Sequence, residues 1–245
     1  MFIVAICSTC GGVGRTTVTA GLSSALGRKA QRVLAIDLDP QNMLGLHLGG
    51  NLLSDGLATS REDSWMESSW HTSDGVDFVP FGSPSADGLE QLEIEVRRDS
   101  DWLHRRLARL DFPDDGIVLI DSARLPSCWG ETARNAADLT LFLGHPDPGS
   151  LGGFDALCRG SKNQDNIAFL LNEVDPTRTL HRDALLLARN RWPETCLQYP
   201  IHRDEAVAEA LAYGQSIFDY AIRAQAAHDL HGVATWLLNQ RSKAA

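Results

Sequence analysis

Apolar runs of strand length recur along the chain, at Phe2 to Cys7, Arg32 to Asp37, Val76 to Phe81, Ile117 to Asp121, Thr140 to Leu143, Ile167 to Leu171 and Cys196 to Ile201. Several are almost continuous rather than alternating, the pattern of strands buried on both faces and hence of a mainly parallel sheet. Between them the apolar positions take helical spacing. Thr17 to Ala30 carries Val18, Leu22, Ala25 and Leu26 on one face, and Trp102 to Leu110 carries Leu103, Leu107 and Leu110. Arg182 to Ala188, Glu205 to Ala212 and Ile222 to Leu238 read as further helices. The alternation predicts an α/β fold: a doubly wound, mostly parallel sheet of seven or eight strands with helices on both faces.

One stretch breaks the pattern. Asn51 to Gly75 is rich in Ser, Thr, Asp and Gly, with Trp65 and Trp70 set into it. So long a segment predicts short helices of its own, and the tryptophans predict a satellite apolar cluster. The tail from Arg241 to Ala245 is expected to fray. At 245 residues the chain is expected to be a single domain spanning 1–245.

Charge narrows the partners. Asp and Glu outnumber Lys and Arg by 32 to 22, a net charge of −10, which argues against strong non-specific DNA binding. Arg97, Arg98, Arg105, Arg106 and Arg109 make a local stripe, read as a solvated helix face. The cysteines Cys7, Cys10, Cys128, Cys158 and Cys196 form an odd, scattered set, so a reducing, cytoplasmic setting is expected. The apolar run at the N-terminus is too short for a leader, and no stretch is long enough to span a bilayer.

The strongest chemical signal is Cys10-Gly11-Gly12-Val13-Gly14-Arg15-Thr16-Thr17, lying directly after the first strand and opening the first helix. Glycines let backbone N–H groups approach an anion, and a helix N-terminus adds unpaired donors and its dipole. That is the context of a phosphate-binding loop. Cys7-Ser8-Thr9-Cys10 has the spacing of a metal or redox pair, but no second pair completes a zinc site. Asn172-Glu173-Val174-Asp175 echoes a guanine-reading box with Glu in the Lys position, which favours ATP over GTP.

The glycine loop resembles the deviant K-G-G-x-G-K-[ST] motif of the MinD/ParA group of P-loop ATPases. Asp37-Leu38-Asp39-Pro40-Gln41 resembles the group's D-x-D-P-Q segment, and Ile117 to Asp121 its Walker B strand. Leu170-Leu171-Asn172 resembles the strand whose Asn reads the base, and Pro200 to Glu205 the late base-side loop. The resemblance runs over about residues 1–240. Ile201 to Glu209 is similar to the wording of the cellulose-biosynthesis branch, BcsQ (also YhjQ).

The resemblance implies ATP and Mg²⁺ as cofactors. It places Gly11, Gly12, Val13, Gly14, Arg15, Thr16 and Thr17 on the phosphates, and Asn172, Pro200 and Ile201 beside the base. Thr16, Asp37 and Asp121 would serve the metal, with Asp39 and Arg15 as the catalytic pair. It implies a homodimer, cellulose synthase-associated partner proteins and recruitment by them to the inner membrane. Partition of DNA in the manner of ParA, or membrane cycling in the manner of MinD, is the alternative. Two departures stand out. Cys10 replaces the lysine that crosses the family's dimer interface, and Arg15 replaces the second lysine. A neutral thiol and a planar guanidinium predict nucleotide binding with weak or absent hydrolysis.

Overall fold

The computed structural model describes residues 1–50, 52, 54–60, 65–160 and 166–244. Its sheet is ordered β3-β4-β2-β5-β1-β6-β7. The strands are β1 (Phe2–Cys7), β2 (Val33–Leu38), β3 (Trp70–His71), β4 (Val76–Val79), β5 (Ile117–Ser122), β6 (Leu139–Gly144) and β7 (Ile167–Leu171). All pair in parallel except β3, which closes one edge antiparallel to β4. The helices are α1 (Arg15–Gly27), α2 (Leu44–His47), α3 (Ala86–Arg98), α4 (Trp102–Ala108), α5 (Cys128–Ala136), α6 (Pro148–Gly160), α7 (Thr179–Arg191), α8 (Glu205–Ala212), α9 (Ile217–Tyr220) and α10 (Gln225–Ala244).

The continuous apolar runs are explained by two cores, one on each face. Phe2, Val4 and Ile6 of β1 face a core shared with α1 and α10, whereas Ile3, Ala5 and Cys7 face one shared with α4, α5 and α6. Every residue of β1, β2, β5, β6 and β7 is buried, so apolar side chains are needed at successive positions. The chain leaves β1 between β5 and β6, the point where the strand order reverses and ligands of open α/β sheets lie beyond the strand ends.

Several expectations are corrected. Cys196 to Ile201 forms no strand of the sheet. It touches β7 through a bridge at Phe169 and Cys196 and a hydrogen bond from Ile201 N to the Leu171 carbonyl, 2.9 Å, and Pro200 has no N–H to extend a ladder. Helices α3, α5 and α6 arise where the sequence shows no clear helical pattern. α3 buries only Val96, and α6 is rich in glycine, so neither shows a broad apolar stripe. α10 runs through Arg241 to Ala244 rather than fraying, with Leu237 fully buried one turn earlier. Ala245 lies outside the described residues.

Of the segment 51–75, residues 51, 53 and 61–64 lie outside the described residues. The rest holds a 3₁₀ turn, Trp65–Ser68, and the two tryptophans form no satellite cluster but pack onto the two main cores, one each. Trp65 joins a core, and Trp70 meets Phe78 edge-on with ring centroids 5.6 Å apart. The arginine stripe is largely neutralised: Arg105 pairs with Asp99 and Arg97 with Glu93, while Arg106 is buried with its guanidinium 3.8 Å from the Trp102 ring centre.

Candidate nucleotide site

The glycine loop connects β1 to α1. Gly12 has φ +73° and Gly14 φ +82°, a left-handed backbone that glycine alone adopts without strain. Gly14 is the N-cap of α1. No side chain caps that end and its first turn holds no acidic residue, so the helix's first N–H groups stay available to an anion. Val13 is buried and anchors the loop.

Asn172, just beyond β7, closes over this loop. Its Nδ2 donates to the Val13 carbonyl at 2.9 Å, and it is nearly fully buried. Beside it opens a cavity of about 250 Å³, lined by Gly14, Thr17, Asn172, Ile201, Asp204 and Leu230 among others. Pro200 is buried behind Ile201 and does not line it. Of the expected phosphate and base residues, Gly14, Thr17, Asn172 and Ile201 thus line one cavity; Gly11, Gly12, Val13, Arg15 and Thr16 do not.

Carboxylates gather on the other side of the loop. Asp37 and Asp121 stand abreast in the β2–β5 register. Asp121 is fully buried, which pushes its carboxyl up to about 6; the hydrogen bond from Thr16 opposes that shift, and the Thr19 hydroxyl lies 3.4 Å away. Asp37 is raised by burial and by the neighbouring Asp121. Both its oxygens already accept backbone donors, Asp39 N at 3.0 Å and Leu44 N at 2.9 Å, so it holds the turn into α2. Thr16 with Asp121 is the better placed pair for a hard cation.

Arg15 turns away from the loop. Its guanidinium donates to the Ser122 carbonyl and forms an ion pair with Asp39, Nη2 to Oδ2 3.3 Å. The other Asp39 oxygen accepts Gln41 N at 3.0 Å. The two expected catalytic residues therefore occupy each other. Cys10 is half-buried against the core, its Sγ 4.0 Å from the Thr9 hydroxyl and near Gly149 at the start of α6.

Two residues of the site had no role in the sequence reading. Asp204 caps α8 through Ala206 N at 3.1 Å and α10 through Ala226 N at 3.2 Å. His202 donates its backbone N–H to Asp229 and sets Nδ1 2.8 Å from the same oxygen. The S/T/D/N preference at helix starts was a usable signal for Asp204, which directly precedes the helical pattern from Glu205.

The residues present fit ATP with Mg²⁺. An uncapped helix start with left-handed glycines suits phosphates, a cavity beside Asn172 suits a base, and the Thr16 hydroxyl beside Asp121 suits an oxygen-loving cation. Among the described residues no cluster of three or more His, Cys, Asp or Glu forms a metal cage. Mg²⁺ bound largely by phosphates and water needs none.

Comparison with known proteins agrees with this geometry. A family model described as cellulose biosynthesis protein BcsQ matches residues 1–238. Cellulose biosynthesis protein BcsQ of Escherichia coli K12 is 29% identical over 240 residues, covering 93% of this chain and 90% of that one. Maintenance of carboxysome distribution protein A of Synechococcus elongatus is 30% identical over 163 residues, 65% of this chain and 63% of that one. The fold is shared with cobyrinic acid a,c-diamide synthase of Mycobacterium smegmatis, solved with ADP and magnesium, at TM-score 0.74 and 24% identity over 100% of this chain and 97% of that one. The match over nearly the whole chain shows the family: the chain belongs to the BcsQ family, within the MinD/ParA-type deviant Walker A P-loop ATPases.

Proposed function

We propose that this chain is one nucleotide-binding domain working as a switch, with ATP and Mg²⁺ favouring a homodimer that presents a surface the free chain lacks. The observation that carries the reading is an uncapped glycine loop with the cavity beside Asn172 on one side and the Thr16–Asp121 pair on the other. A switch needs a ligand with different affinity for two states, and a nucleotide shared across two copies supplies that difference. Mg²⁺ would be held by Thr16 and, through water, Asp121, and would neutralise phosphate charge.

Asn172 gives the base preference a physical cause. With Nδ2 held by the Val13 carbonyl, its Oδ1 is left to accept. Adenine offers an exocyclic amine to an acceptor; guanine offers a carbonyl, which repels one. Hydrolysis is slow in this reading. Asp39 orients water only after leaving Arg15, and no lysine stands at position 10 to add charge from a second copy.

The cargo of the switch divides two readings. The positioning or partitioning role is favoured by the similarity to the carboxysome-distribution protein. An accessory role in cellulose biosynthesis, through cellulose synthase-associated proteins in the cytoplasm, is favoured by the family match over 1–238. Among the described residues no helix is long and apolar enough to cross a membrane, so membrane recruitment in this reading comes from those partners. The test of the switch is light scattering of the pure protein with and without Mg-ATP: a mass that doubles with ATP and not with GTP supports it, and an unchanged mass overturns it. Deleting the gene and staining secreted cellulose separates the two cargo readings.

A further inference from the structure

We infer that Arg124 is a phosphate ligand, a guanidinium laid over the far end of the glycine loop that stands in for the charge missing at Cys10. Its Nη1 lies 3.9 Å from the position a Cβ on Gly11 would take. The side chain is exposed, and among the described residues no carboxylate pairs with it. Its backbone, by contrast, is pinned to the loop it covers. Ala123 and Leu125 on either side are buried, and Leu125 N donates 2.8 Å to the carbonyl of Ser8, itself fully buried at the loop's base. Ser122 adds a hydroxyl bond to the Ile6 carbonyl at 2.8 Å.

Position along the loop says which phosphate is met. The base cavity opens at the Gly14–Thr17 end beside Asn172. A triphosphate entering from there runs towards Gly11, so Arg124 lies at the terminal phosphate. Arg15 cannot serve equally, because its guanidinium is spent on Asp39 and the Ser122 carbonyl. Arginine suits this position, since a planar fork binds two phosphate oxygens at once and keeps its charge at any working pH.

The inference rests on the nucleotide-site reading, and the experiment separates the two. Calorimetry measures ATP and ADP, each with Mg²⁺, on the parent, Arg124→Gln and Arg124→Lys. The Gln variant is expected to lose roughly 10- to 100-fold in ATP affinity, as for a hydrogen bond between charged groups, with a clearly smaller loss for ADP. The Lys variant keeps part of the difference. Equal ATP-to-ADP ratios in parent and Gln variant overturn the inference, as does an equal loss for both nucleotides. A parent that binds neither nucleotide overturns the site reading and this inference with it.

Discussion

Gly14→Ala is the substitution whose cost the structure lets us work out in parts. At φ +82° an alanine meets left-handed strain of roughly 1–2 kcal/mol. Its Cβ would also lie 2.5 Å from Asn172 Nδ2, so the amide must leave. That breaks the 2.9 Å bond to the Val13 carbonyl and leaves buried polar atoms unsatisfied, a further ~1–3 kcal/mol. The sum is about 2–5 kcal/mol, and ATP binding should be lost with the displaced Asn172. Urea unfolding of the parent, Gly14→Ala, Asn172→Ala and the double variant forms a closed cycle. With Asn172 already truncated, Gly14→Ala should cost only the backbone strain, about 1–2 kcal/mol. Two costs that add without coupling would show that Gly14 and Asn172 do not press on one another, and would refute the reasoning.

The other predictions are shorter. Asp121 has a folded value near 6 against 3.8 unfolded, so its contribution to stability falls as pH rises from about 4 to 6; the parent minus Asp121→Asn difference in denaturant midpoint should decline over that window, and a rising difference contradicts the burial argument. Restoring Cys10→Lys with Arg15→Lys should raise ATP turnover, since one change adds charge and the other frees Asp39; a parent that already turns over briskly refutes the slow-hydrolysis reading. Asn172→Asp should weaken ATP binding roughly tenfold or more, because a carboxylate cannot donate to the Val13 carbonyl; calorimetry with unchanged affinity contradicts the assigned amide orientation. Gel retardation should show no strong binding to random duplex DNA at ordinary salt, given a net charge of −10; salt-sensitive retention would favour DNA partition.

What the sequence disclosed follows from how local each signal is. Strands buried on both faces write themselves as continuous apolar runs, so β1, β2, β5, β6 and β7 were legible almost residue by residue. Cys196 to Ile201 is apolar at its ends but carries Gln198 and Pro200 within, and without a ladder partner along its length it stays a loop. α6 was hidden because its glycines serve a neighbour: Thr9 fills the space where a Gly153 side chain would stand. The glycine loop, Asp121 and Asn172 could be named from motif context. The Arg15–Asp39 pair, the backbone bonds that saturate Asp37 and the reach of Arg124 over Gly11 depend on distant segments meeting, and no spacing along the chain encodes them.

Asp204 ties two helices with one carboxylate, an oxygen for the start of α8 and the other for the start of α10. It also lines the cavity beside Gly14. The arrangement works as a mechanical linkage. A shift of α8 cannot be absorbed locally without giving up a hydrogen bond at the root of α10, the long helix that spans the α1 face of the sheet. One wall of a small cavity and the footing of a 20-residue rod are therefore the same side chain, so a change that removes the Asp204 carboxylate loosens both at once.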